Sequence, residues 1–162
     1  MPQYIEGTFI APSGRFALCA SRFNSSITEQ LITGAIDALV RHGLKDSAID
    51  VYRVPGAFEL PGLASKICQS QRYAGLICLG AIIRGGTPHF DYLCSHVFGQ
   101  LGRLAADSEL PISLGILTCD TVDQAFERAG SKSGNKGYDA AMGVLEMVNL
   151  YDRLRTLSRT KT

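Results

Sequence analysis

The chain has 162 residues, of which 46% are hydrophobic and 19% charged, with a formal net charge of +1. Length and composition predict a single globular domain with a substantial core and exclude a disordered chain. The near-neutral balance excludes the basic surface of a nucleic-acid or membrane-surface binder. No apolar run is long enough to span a bilayer, and residues 1–16 lack the pattern of a signal peptide.

Residues 1–14 form a mixed arm with Pro2, Pro12 and a Ser-Gly turn, either loose or docked on a neighbouring subunit. Residues 16–20 are a short apolar strand, followed by the polar turn 21–26. A helix is predicted over 27–42, with Ser25 or Ser26 as N-cap, an apolar stripe of Leu31, Ile32, Ala35, Ile36 and Leu39, and Gly43 as its stop. Residues 49–54 alternate as a strand does and end at Pro55-Gly56. A second helix is predicted from Ala57 to about Gln71, with Pro61 in its first turn.

Residues 76–83 form an uncharged Leu/Ile-rich run, the mark of a strand buried on both faces. Arg84-Gly85-Gly86-Thr87-Pro88-His89 follows. Apolar residues at helical spacing then run from Phe90 to Leu104, predicting a helix to about Ser108. A fourth strand is predicted over 111–117, a cap at 118–121 and a short helix over 122–129. A polar loop is expected over 130–137, a final helix over 138–154 and a frayed tail from Thr156. The cysteines Cys19, Cys68, Cys78, Cys94 and Cys119 are scattered, with no C-x-x-C pair. They read as small buried hydrophobes in a reducing cytosol, ahead of zinc ligands.

Strand and helix alternate four times before the last helix. Right-handed crossovers then give a three-layer α/β/α sandwich on a four-stranded parallel sheet. Ligands of such sheets bind beyond the carboxyl ends of the strands. Four polar turns should therefore converge: Arg22-Phe23-Asn24, Gly56 to Glu59, Arg84 to His89, and Thr118 to Thr121.

Several of their residues admit two readings. The Gly85-Gly86-Thr87 turn opens a helix, so its N–H groups can cradle a phosphate or simply connect strand to helix. His89 suits proton transfer near neutral pH, or caps and packs. Phe23 and Phe58 either stack on a flat heterocycle or fold into the core. Glu59 is favourable at a helix start whether or not it meets a ligand. Arg128 and Lys136 hold phosphate or are solvated charges. Neither the Rossmann nor the P-loop pattern is present, which disfavours a dinucleotide or ATP.

Four motifs occur in order with compatible spacing: Arg22-Phe23-Asn24 with Ile27-Thr28; the run from Val54 to Pro61; the run from Gly80 to Tyr92; and residues 124–130 followed by Gly134-Asn135-Lys136-Gly137. Together they resemble lumazine synthase, of flavodoxin-like fold, over nearly the whole chain. The resemblance implies a cytoplasmic enzyme of riboflavin biosynthesis that needs no metal or cofactor. It would condense 5-amino-6-(D-ribitylamino)uracil with 3,4-dihydroxy-2-butanone 4-phosphate.

By the same resemblance, Phe23 would stack on the pyrimidine. Asn24, Ala57, Phe58 and Glu59 would bind the ribityl chain or ring edge, and main-chain groups of Ala81, Ile82 and Ile83 the uracil. Gly86, Thr87 and Arg128 would hold phosphate, Arg128 being catalytic together with the acid/base His89, and Lys136 would lie at the periphery. Leu114 stands where many relatives carry an aromatic residue that covers the ring in an adjacent subunit's site. Pentamers are implied, and the short 130–137 loop favours a 60-subunit shell; riboflavin synthase is an implied partner. A flavin-binding module without turnover and a shell protein with a decayed site are the competing readings. His89, Arg128 and Glu59 together favour the enzyme.

Overall fold

The computed structural model describes residues 1–159. Four parallel strands form the central sheet in the order β2-β1-β3-β4. They are β1 (Phe16–Ser21), β2 (Ile49–Val54), β3 (Gly75–Ile83) and β4 (Ile112–Cys119). The inner strands β1 and β3 are covered by helices on both faces, so their side chains are buried almost without exception. The edge strand β2 alternates instead, with Val51 and Arg53 reaching solvent. Here position in the sheet, more than strand propensity, sets which sequences are continuously apolar.

One layer contains α1 (Ser25–Arg41), α4 (Val122–Arg128) and α5 (Lys136–Arg159). Its core holds Phe16, Leu18, Leu31, Leu39, Ile77, Leu79 and Leu145. The opposite layer contains α2 (Leu60–Ser70) and α3 (His89–Asp107), packed over Cys19, Leu60, Leu76, Cys78, Val97 and Leu101. A side chain of this size, once fully buried, contributes about 2 kcal/mol by area removed from water.

Three local readings are corrected. The N-cap of α1 is Asn24, not Ser25 or Ser26. Asn24 takes a left-handed backbone (φ 59°, ψ 46°) that starts the helix at Ser25, and asparagine tolerates that conformation better than serine. The second helix opens as a 3₁₀ turn, Ala57–Glu59, before Leu60–Ser70 continues as α-helix. The 130–137 segment is not an open loop but a hairpin, β5 (Ala129–Ser131) against β6 (Gly134–Asn135).

The last helix runs through Arg159, so residues 156–159 are helical. The rest of the expected frayed tail, 160–162, lies outside the described residues. The N-terminal arm lies along its own α5. Asn149 Nδ2 donates to the carbonyls of Thr8 and Ile10 at 3.0 Å, and Arg153 donates to that of Glu6 at 3.1 Å.

The hairpin ends in a residue whose work is structural. Asn135 Oδ1 accepts the N–H groups of Gly137 (2.8 Å) and Tyr138 (3.0 Å), capping α5. Its Nδ2 donates to Gln30 O (2.9 Å) and Ala129 O (3.1 Å), tying α1 to the hairpin. At Gly137 the two helices touch: a Cβ there would lie 2.0 Å from the carbonyl oxygen of Leu31. Only glycine permits that approach.

Candidate active site

Strands β1 and β3 part company at their carboxyl ends. Their pairing stops at Ala20 with Leu79, yet β3 continues beside β4 as far as Ile83 with Cys119. The chain leaving β1 turns toward β2 instead, where Arg22 N–H donates to Val54 O (2.8 Å) and Phe23 N–H to Pro55 O (3.1 Å). A crevice opens where β1 diverges, at the switch point of the strand order. It is a cavity of about 510 Å³ lined by the turns after β1, β2 and β3.

Asn24, Phe23, Ala57, Phe58, Glu59, Ala81, Ile82, Ile83, Thr87 and His89 all line it. Asn24 Nδ2 donates to the Ala81 carbonyl at 2.8 Å, bridging the crevice floor. Phe23 and Phe58 are 71% and 61% exposed, so both rings face the opening and the core reading fails for each. Ala57 and Leu60 are buried and anchor the 3₁₀ turn that presents Phe58. The Glu59 carboxylate accepts the Gly56 N–H at 2.9 Å, closing that turn. His89 is the first residue of α3, exposed beside Thr87 at the helix N-terminus. Free N–H groups and the helix dipole favour an anion there.

The fourth turn does not join the other three. Arg84 stands between: its Nε donates to Asp120 Oδ1 (2.9 Å) and its Nη1 to Asp91 Oδ2 (3.2 Å). Its guanidinium carbon lies 4.3 Å from the centre of the Phe90 ring. Asp120, followed by Asp91, holds the guanidinium proton more tightly than usual. Thr118 and Asp120 face a separate cavity beyond this clamp, with Cys94, Phe98 and Gln124. The arginine of the glycine turn is therefore committed to carboxylates, and any phosphate must find another cation.

Four expected residues do not line the cavity of their own chain. Gly86 is not in the lining itself, but its neighbours Gly85 and Thr87 on either side are. Leu114 is half-buried in mid-β4, opposite Cys78, in the α2–α3 core. Arg128 ends α4, where its Nη1 donates to Gln124 O at 3.0 Å. Lys136 pairs with Asp139 at 3.0 Å.

Conversely, Pro55, Phe90 and Leu93 line the cavity without having been singled out as site residues, alongside Gly56 and Gly85 of the converging turns. Phe90 and Leu93 belong to the apolar stripe of α3. Their place in its first turns, at the carboxyl end of the sheet, was the available signal. A concavity of about 540 Å³ at the amino-terminal end of the sheet lies between Tyr73, Leu110 and Arg155. Strand topology places ligands at the other end.

Residues 13–152 match the sequence model of the family described as 6,7-dimethyl-8-ribityllumazine synthase. A protein of that name from Myxococcus xanthus (strain DK1622) is 50% identical over 159 residues, covering 95% of each chain. Another of that name, from Desulfatibacillum aliphaticivorans, is 50% identical over 155 residues, covering 96% of this chain and all of its own. With the four motifs, the parallel sheet and the cavity at its switch point all in agreement, the chain belongs to the 6,7-dimethyl-8-ribityllumazine synthase family.

Proposed function

We propose that the switch-point cavity is where this chain condenses 5-amino-6-(D-ribitylamino)uracil with 3,4-dihydroxy-2-butanone 4-phosphate. The products are 6,7-dimethyl-8-ribityllumazine, phosphate and water. The observation that carries this reading is that ten expected site residues, from the carboxyl end of β3 and the segments that follow β1, β2 and β3, line one cavity. Family membership supports the reaction itself.

Phe23 stacks on the pyrimidine. The edge of β3 beyond Leu79, free of β1, presents main-chain groups of Ala81 to Ile83 to the uracil. Asn24, Ala57, Phe58 and Glu59 hold the ribityl chain. Gly86, Thr87 and the α3 N-terminus take the phosphate, with Arg128 as the cation.

The substrate amine attacks the ketone carbon, and water leaves as the imine forms. Loss of a proton from the neighbouring carbon expels phosphate and yields an enol, which rearranges to a ketone. The ribityl-bearing nitrogen closes the ring on that carbonyl, and water leaves again. His89 takes and returns the protons, a role worth about 100-fold or more. Holding both reactants together can lower the barrier by roughly 7 kcal/mol.

Homo-oligomeric assembly goes with the family. We place Leu114, Arg128 and Lys136 at the cavity of a neighbouring copy in a pentamer. Leu114 there supplies an apolar cover without a second aromatic face. The tight β5–β6 hairpin, with no insertion, supports a 60-subunit shell. The free cysteines suit the reducing cytoplasm. Riboflavin synthase is the proposed taker of the product. Among the described residues, no helix is long and apolar enough to cross a membrane.

The test mixes the two substrates and follows lumazine absorbance and phosphate release. A rate above the spontaneous background is expected, and its absence would overturn the reading.

A further inference from the structure

Phe58 has an aromatic partner that is not among the residues lining the cavity. Its ring and that of His96 stack, with centroids 4.8 Å apart and planes 19° from parallel. Phe58 belongs to the 3₁₀ turn Ala57–Glu59, and buried Ala57 and Leu60 anchor the backbone on either side of it. That anchoring sets where the side chain starts, not where the ring points. His96 is half-buried on α3, one face with His89 and seven residues beyond it. The helix rise puts it about 10 Å further along the axis, too deep for contact with the reacting atoms. Among the described residues the imidazole has no hydrogen-bond partner, so no polar contact competes with the stack.

We propose that His96 is a positioning residue for the ribitylaminouracil substrate, its imidazole backing the Phe58 ring and holding that ring against the cavity. The inference rests on the condensation reading above. Helix α3 then serves the site twice. Its first turn presents His89 to the chemistry, and a deeper turn fixes the wall that meets the ribityl side. An unbacked Phe58, so exposed, would sample other rotamers, and ordering it would weaken substrate binding.

The experiment titrates the assembled protein with 5-amino-6-(D-ribitylamino)uracil alone by calorimetry, then measures steady-state rates with both substrates. His96→Ala should weaken binding of the ribitylaminouracil on the order of three- to tenfold, the scale of a stacked aromatic pair. Its KM should rise in step, while kcat and the KM for the butanone phosphate change by less than about twofold. His96→Phe, which keeps the stack, should restore binding. In a Phe58→Ala background, His96→Ala should add nothing. Should His96→Ala fail to fold, His96→Leu must bind as weakly as expected for the alanine variant.

Unchanged binding, failure of His96→Phe to restore it, additivity with Phe58→Ala, or a parallel rise of both KM values would overturn the inference. A wild-type protein that forms no lumazine would instead overturn the condensation reading. Calorimetry with one substrate keeps the two failures apart.

Discussion

Asn24 joins the two strands that separate to make the cavity: its Nδ2 donates to the Ala81 carbonyl at 2.8 Å while its left-handed backbone caps α1. One residue thus combines two demands, a positive φ and a donor aimed across the crevice. Asn24→Ala loses both, and should lower stability by about 2–3 kcal/mol, adding left-handed strain to a lost hydrogen bond. Asn24→Gly keeps the backbone free and loses only the donor, at a cost of about 1 kcal/mol. Denaturant titrations at equal protein concentration should rank wild type, glycine, alanine; equal losses would mean the left-handed backbone contributes nothing.

The contrast at Asn24 also marks the limit of the sequence reading. Sheet, layers and strand-end turns were legible because they follow from periodicity: buried β3 is continuously apolar, and α1 and α3 carry clear stripes. Conformations set by a tertiary partner were not. Serine is a good cap in isolation, so Ser25 and Ser26 were favoured, and nothing local announces a carbonyl fifty-seven residues away. The sequence also placed Thr118 to Thr121 with the other turns, because topology carries it to the same end of the sheet. It could not show that Arg84 would stand between, paired with Asp91 and Asp120. Arg128 and Lys136 were legible through resemblance alone, since their own chain's cavity does not contain them.

The Gly134 to Gly137 motif is expected to act through folding. Gly137→Ala drives a methyl to 2.0 Å from Leu31 O, a backbone atom that cannot move aside cheaply. A loss of at least about 3 kcal/mol is expected, seen as a collapse in soluble yield or thermal midpoint. Gly143, in the same helix, has no atom within 4 Å of its would-be Cβ. Gly143→Ala should raise stability by about 0.5–1 kcal/mol through helix propensity. Similar outcomes for the two would show that the α1–α5 approach is not what Gly137 protects.

Part of the acid sensitivity should arise at the amino-terminal end of the sheet. Arg15 first, and then the Tyr73 hydroxyl, hold the Asp50 carboxyl below its usual range. A carboxylate with a depressed folded pKa adds stability that is fully present above its unfolded value, near 3.9. That stability is lost as pH falls through the lower folded value. Wild type should therefore lose stability below about pH 4, and Asp50→Asn should show a shallower slope there. Denaturant midpoints taken between neutral pH and about pH 3 test this; identical slopes would remove Asp50 from the account.

Two arginines are candidates for the phosphate, Arg84 of the glycine turn and Arg128 brought by a neighbouring copy, and only one should matter for capture. Arg84 is committed to Asp120 and Asp91. Arg128 donates to a main-chain carbonyl and lies 4.0 Å from Glu127, which leaves donors to spare. Arg128→Ala should raise the KM for the butanone phosphate at least about tenfold, the scale of a charge-assisted hydrogen bond. Arg84→Ala should raise it by less than about threefold while lowering the thermal midpoint, since its ion pairs are half exposed.

Because Arg128 is absent from its own chain's cavity, it should serve a neighbour's. Co-expression of His89→Ala and Arg128→Ala chains then builds some sites with both residues intact, about a quarter under random pairing around a ring. Activity should return in the mixed assemblies and not when the two purified proteins are simply combined without exchange. If both residues acted from one chain, no mixed site would be whole and no activity would return.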